Sequence, residues 1–269
     1  MASEPRPRPH PVVGTELVRD WAPTGTPRAH IVLVHGLGEH SGRYERTGSL
    51  LADAGFWVRG FDLIGAGATG GARWDIDDWN RFHGQVEEHM RWATAQEGKV
   101  VLMGHSLGGN VALGYALDWR PSPDLLVLSA PALAGGAGWQ RALATVATRL
   151  APTLVIPNKI DGSVLSRDPA VGEAYFADPL VVNSSSVRLG AQLFSQMDEL
   201  SDRVEELDIP TLVIHGGDDR LVPTSCTECF EGISHVTRRV YPGLRHETLN
   251  EPEGPEVVAD IVSWIEARL

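Results

Sequence analysis

Residues 99–119, KVVLMGHSLGGNVALGYALDW, run through a short apolar segment, a serine bracketed by glycines and a helix-like segment without interruption. Beyond Lys99 the first part is continuously apolar, as a strand covered on both faces must be, and residues 109–119 carry apolar side chains at helical spacing. Between them Gly104-His105-Ser106-Leu107-Gly108 fits GxSxG. A strand leading directly in and a helix leading directly out is the arrangement that holds a serine on a strained elbow at the edge of a sheet. Glycines on either side let backbones pass closely, and the helix N-terminus brings free N–H groups beside the hydroxyl.

The same alternation extends outward. Residues 30–35 (HIVLVH), 57–63 (WVRGFDL), 125–129 (LLVLS), 210–215 (PTLVIH) and 237–241 (TRRVY) read as further strands, and 257–269 as a helix. The expectation is an α/β architecture with a mostly parallel central sheet flanked by helices, its functional groups gathered at the carboxyl ends of the strands. One stretch breaks the pattern. Residues 132–206 contain no convincing strand and carry an apolar stripe of Trp139, Leu143, Val146 and Leu150. That is far too long for an ordinary connection, so it reads as an inserted helical cap. The core then spans 17–131 and 207–269, and the Pro/Arg-rich residues 1–16 read as a flexible tail.

The 269 residues include 23 Lys and Arg against 35 Asp and Glu, a net charge of −12, which repels nucleic acid and argues against such a partner. No apolar run approaches the roughly 20 residues of a membrane span, and MASEPRPRPHP lacks the apolar core of a signal peptide. A cytoplasmic location is expected, with any contact to lipid surfaces made transiently through the cap. Cys226 and Cys229 lie in a CxxC without the second ligand pair that a zinc site needs, so they read as small apolar residues and no metal is expected.

A serine hydroxyl becomes a nucleophile only with an imidazole to take its proton and a carboxylate to orient that imidazole. In the chain order Ser, acid, His, each partner should follow a late strand. After PTLVIH come Gly216-Gly217-Asp218-Asp219, and after TRRVY come Pro242-Gly243-Leu244-Arg245-His246. Ser106 and His246 are thus candidate catalytic residues; between Asp218 and Asp219 the physics of the sequence does not choose. Acyl transfer also needs donors aimed at a developing oxyanion. The N–H of Leu107, next to the serine, is one, and that of Leu37, in the Gly36-Leu37-Gly38 loop after residues 30–35, is the other. His35, beside that loop, reads as structural.

HGLGEHSGRY (35–44), GHSLGG (104–109), SVLSRD (163–168), AYFADPL (174–180), HGGDDRLVP (215–223) and YPGLRHETLNEP (241–252) together resemble monoacylglycerol lipases, especially bacterial ones, over nearly the whole chain. The resemblance implies an α/β-hydrolase fold with a cap domain and hydrolysis of one fatty-acyl chain from glycerol without a cofactor. It also selects Asp219, carries over Leu37 and Leu107 as oxyanion donors, places Tyr175 in the alcohol pocket and sets Glu39 and Arg43 beneath the oxyanion loop. Where the family reads DxRGHGxS, this chain has residues 62–69 as DLIGAGAT. Replacing polar groups by Leu63, Ile64 and Ala66 implies a more apolar site wall. The alternative activity is a carboxylesterase acting on short-chain or aromatic monoesters such as monoalkyl phthalates. A peptidase would need a carboxylate for a free amine, and a ligand-binding module would not need an intact Ser106, Asp219 and His246.

Overall fold

The computed structural model describes all residues except 1, 2, 4, 12 and 137. Its strands are β1 (Pro5–His10), β2 (Gly14–Trp21), β3 (Ala29–Val34), β4 (Phe56–Phe61), β5 (Lys99–His105), β6 (Leu125–Ser129), β7 (Val155–Pro157), β8 (Ser184–Ser186), β9 (Thr211–Gly216) and β10 (Val236–Tyr241). The helices are α1 (Glu45–Asp53), α2 (Asn80–Thr94), α3 (Leu107–Asp118), α4 (Gly138–Leu150), α5 (Pro169–Ala177), α6 (Val187–Ser201) and α7 (Gly254–Glu266). Eight strands among the described residues form one sheet in the order β1-β2-β4-β3-β5-β6-β9-β10, while β7 and β8 pair separately. From β4 to β10 all pairings are parallel; β2 joins β4, and β1 joins β2, antiparallel.

The central strands β3, β5, β6 and β9 are buried at every position except Lys99, and mostly apolar, because both faces are covered. Ile31 and Leu33 of β3 and Val101 and Met103 of β5 pack toward Leu51 of α1 and Val257, Ile261 and Ile265 of α7. Val32, Val34, Val100 and Leu102, on the alternate positions, pack toward Val86 and Met90 of α2 and Val111 and Leu113 of α3. Ile261 is fully buried, so Ile261→Ala costs about 2–5 kcal/mol. This two-sided core fixes the strand ends, and with them the loops that carry the chemistry.

Two expectations are corrected. The tail expected over residues 1–16 is not loose: residues 5–10 form β1 and pair with β2 at the sheet edge, Pro7 opposite Leu17 and Pro9 opposite Thr15 (residues 1, 2, 4 and 12 lie outside the described residues). Prolines normally argue against a strand, but Pro5, Pro7 and Pro9 sit on alternate positions and so share one side. At an edge that side faces away from the partner and needs no donor. Within residues 132–206, where no strand was read, β7 and β8 form a ribbon of three residues each, too short to leave a periodic signal. The remainder of that insertion is α4, α5, α6 and connecting turns. Among the described residues no helix is long and apolar enough to cross a membrane.

Candidate active site

β5 ends at His105 and α3 begins at Leu107, leaving Ser106 alone at the turn with φ 53° and ψ −118°. Such a conformation costs a non-glycine residue about 1–3 kcal/mol. Surrounding bonds hold it there: Ser106 N–H donates to Ser129 O at 3.0 Å, and Ser106 O accepts from Asn110 N–H at 3.1 Å and Ala132 N–H at 2.9 Å. The flanking glycines are needed for close approach, since a Cβ on Gly104 would collide with Gly108 O and one on Gly108 with Val34 O and His35 O.

Asp219 follows β9, and His246 follows β10. His246 Nδ1–H donates to Asp219 Oδ2 at 2.7 Å, while Asp219 Oδ1 accepts the N–H groups of Leu221 at 2.8 Å and Val222 at 2.9 Å. Burial works against the Asp219 charge, but His246 and the hydrogen bonds from His215, His246 and Val222 outweigh it and hold the carboxyl well below the usual range. For His246 burial pulls the imidazole down; the Asp219 charge and hydrogen bond, with Glu247 and Glu39 nearby, overcome this and raise it. Asp218 has an exposed side chain and makes no such contact.

Ser106 and His246 line one cavity of about 800 Å³, together with Leu37, Leu107, Glu39, Arg43 and Tyr175. Thus all the candidate residues except Asp219 face a common space, and Asp219 reaches it through His246. No hydrogen bond joins Ser106 Oγ to His246 Nε2 in this state, and catalytic bonds of this kind commonly tighten only around a bound substrate. The backbone N–H groups of Leu37 and Leu107 also have no partner among the described residues, so both are available to an oxygen in the cavity. The loop carrying Leu37 turns at Gly38, with φ 83°, where a side chain would strike Tyr175 Oη and Val182 O.

Arg43 lies between two buried carboxylates, donating to Glu39 Oε2 at 2.7 Å and to both oxygens of Glu247 at 2.6 and 2.8 Å, with its guanidinium 4.8 Å from the Tyr175 ring centroid. Glu39 Oε1 in turn accepts Gly36 N–H and Tyr44 O–H, both at 2.6 Å. Burial would raise Glu39, but Arg43, the neighbouring histidines and Tyr44 bring it to about 2. Glu39 and Arg43 therefore buttress the Gly36–Leu37 turn.

Two histidines at the site were not anticipated in these roles. His215 Nε2–H donates to Asp219 Oδ2 at 3.1 Å and to Val222 O at 3.1 Å, giving Asp219 a second imidazole. The His105 ring lies 4.8 Å from that of His246, tilted by 51°, and burial together with the His246 charge pushes it down to about 4. The first stood in plain view at the end of PTLVIH; its position in the fourth place before Asp219 was the available signal. The expectation of a more apolar site wall is corrected. Leu63, Ile64 and Ala66 are buried in the core with Val18, Phe61 and Trp74, and none of them lines the cavity.

A family model described as serine aminopeptidase S33 matches residues 25–253. A monoacylglycerol lipase of Mycolicibacterium smegmatis is 34% identical over 96% of this chain and 95% of its own length. The chain belongs to the monoacylglycerol lipase family. Another relative in the family, the human monoglyceride lipase, is 30% identical over 87% of this chain and 84% of its own. The crystal structure of the Paleococcus ferrophilus monoacylglycerol lipase superposes with a TM-score of 0.85 at 32% identity, covering 94% of this chain and 98% of that one. The α/β-hydrolase fold and its serine-hydrolase chemistry follow from that membership.

Proposed function

We propose that the protein hydrolyses monoacylglycerols to glycerol and fatty acid through an acyl-enzyme on Ser106. The observation that carries this reading is the pairing of Asp219 with His246 at 2.7 Å beside a strained serine, inside a largely apolar cavity of about 800 Å³. Such a volume lies within the range of about 300–1,000 Å³ that buries one drug-sized molecule. His246 Nε2 takes the Ser106 proton as the oxygen attacks the ester carbonyl, and the N–H groups of Leu37 and Leu107 bind the resulting oxyanion. Asp219 keeps the proton on Nδ1 and stabilises the imidazolium. His246 then protonates the leaving glycerol oxygen, and water repeats the cycle to release the acid. No cofactor takes part.

We read residues 132–206 as a cap that supplies the acyl-chain wall: Trp139, Leu143, Ala147, Leu154 and Ile156 line the cavity. Val146 is 57% exposed and Leu150 82%, and neither lines the cavity, so α4 also carries an outward apolar surface that suits transient contact with lipid aggregates. The two free cysteines fit a reducing, cytoplasmic setting. For a peptidase, the carboxylates that could bind a free amine, Glu39 and Glu247, are both engaged by Arg43.

Hydrolysis of mono-, di- and triacylglycerols, short p-nitrophenyl esters and a monoalkyl phthalate by the purified protein tests the proposal. A preference for monoacylglycerols that falls by about 10⁴-fold or more in Ser106→Ala is expected. Faster turnover of the phthalate or short esters would replace the lipase reading with the esterase one.

A further inference from the structure

We propose that His35 is a positioning residue for the reaction: it aims the Leu37 N–H into the cavity by holding the carbonyl end of the same peptide unit. The inference rests on the oxyanion role proposed for Leu37. His35 follows β3 and is fully buried, its ring edge-on to Trp74 with centroids 6.0 Å apart. Each ring nitrogen has one backbone partner. Leu63 N–H lies 2.9 Å from Nε2, and because an amide N–H only donates, Nε2 must be the bare nitrogen. The proton therefore sits on Nδ1, which donates to Gly36 O at 2.9 Å.

Gly36 O and Leu37 N–H belong to one planar peptide group and point in opposite directions. Fixing the carbonyl consequently fixes the direction of the N–H, and a donor on the carbonyl polarises that N–H further. Glu39 Oε1 holds the other side of Gly36 through its N–H at 2.6 Å, so the turn is restrained at both ends. The ring must stay neutral for this, since an imidazolium would donate from both nitrogens and repel Leu63 N–H. Burial pulls His35 down despite the opposing charges of Glu39 and Asp62, in keeping with that requirement.

Leu63 is itself held in place. Gln85 Oε1 accepts Ile64 N–H at 3.0 Å, and Gln85 Nε2 donates to Asp62 O at 3.0 Å and to the buried Glu16 Oε1 at 2.6 Å. His89 approaches the same Glu16 oxygen at 3.1 Å. The backbone of Asp62, Leu63 and Ile64, in the stretch that lacks the family's arginine, histidine and serine, is thus held by the side chains of Gln85 on α2 and His35. The chain of contacts runs from Glu16 through Gln85, the Asp62–Ile64 backbone and His35 to the Leu37 peptide.

The test compares His35→Leu, His35→Gln and His35→Asn in the full chain. Asparagine places an N–H near the position of Nδ1; glutamine fills the ring volume but carries its amide at the Nε2 end. For His35→Gln and His35→Leu, kcat on a monoacylglycerol should fall about 10- to 100-fold with KM within about threefold, part of what losing an oxyanion donor costs. Binding of a long-chain alkylboronic acid, a tetrahedral mimic, should weaken by a similar factor, while a non-hydrolysable monoalkyl glycerol ether should bind as before. His35→Asn should recover at least about a third of kcat, although its thermal midpoint drops like that of the others. If kcat in folded His35→Gln stays within about twofold of wild type, or if asparagine and glutamine are equally impaired, the inference is overturned. A Ser106→Ala protein that still turns over substrate, or a wild type that ignores the boronic acid, would instead overturn the parent reading.

Discussion

His40 joins Asp178 across the boundary between the loop that follows β3 and the inserted segment. Gly42 N–H donates to His40 Nδ1 at 3.1 Å, so the proton lies on Nε2, which donates to Asp178 Oδ2 at 2.9 Å. Val182 N–H reinforces this contact by donating to Gly38 O at 2.9 Å, and Arg188 grips Asp75 through two bonds of 2.6 Å. The insertion is therefore fastened to the very loop that carries Leu37. Asp178→Ala should speed amide exchange across α5 and raise KM about three- to tenfold while kcat changes less than about threefold, a loss of uniform binding. An unchanged exchange pattern by mass spectrometry would mean that the other fastenings suffice.

The pH dependence follows from the Asp219–His246 pair. In the proposed mechanism His246 takes a proton only when neutral, and its folded-state pKa is raised above the ordinary 6.5. Activity should therefore fall as pH drops through a value above 6.5. Asp219→Asn removes the carboxylate that raises the imidazole, so its residual kcat/KM should show an acid limb at lower pH, with kcat reduced by about 10⁴-fold as in comparable triads. The stability linkage runs the opposite way: what His246 contributes through its pairing is present at low pH and lost as pH rises through its folded value. A limb that fails to move in Asp219→Asn would assign it to another group.

Among the described residues Arg43 is the one cation paired with both Glu39 and Glu247, and its side chain is 9% exposed. Arg43→Met leaves two carboxylates buried without it and should cost about 3–5 kcal/mol in chemical denaturation. Arg43→Lys should recover little, because one ammonium cannot reproduce the paired contacts to Glu247 together with the one to Glu39. The triple variant Arg43→Met, Glu39→Gln, Glu247→Gln should be more stable than Arg43→Met alone.

The exposed apolar face of α4 makes a separable prediction. Val146→Asp with Leu150→Asp, two exposed positions that do not line the cavity, should lower turnover of micellar monoacylglycerol about tenfold and leave hydrolysis of a dissolved short p-nitrophenyl ester within about twofold, since full burial of such a side chain in lipid is worth about 1.5–3 kcal/mol. Micellar turnover that stays at the wild-type level in this variant would remove the lipid-surface role.

How far these features could be read beforehand depended on their range along the chain. The Ser106 elbow, and the loops holding Asp219 and His246, each follow an apolar strand directly, so strand periodicity located them. Arg43 and Glu247 are separated by 204 positions, and nothing local in either segment signals that they meet. β1 was hidden because proline content speaks about backbone donors, and only its place at the sheet edge makes their loss harmless. Leu63, Ile64 and Ala66 show a different limit. Their apolar character was visible, but the direction of a loop side chain, toward cavity or core, is set by neighbours such as Trp74 and Val18.

The alternating prolines of β1 have one more consequence. A foreign strand approaching that border would find carbonyl oxygens at positions 5, 7 and 9 and no amide hydrogen to complete a ladder. The sheet therefore ends in a terminus that cannot template its own extension, a safeguard against fibrillar association while this enzyme-sized sheet is crowded at high concentration.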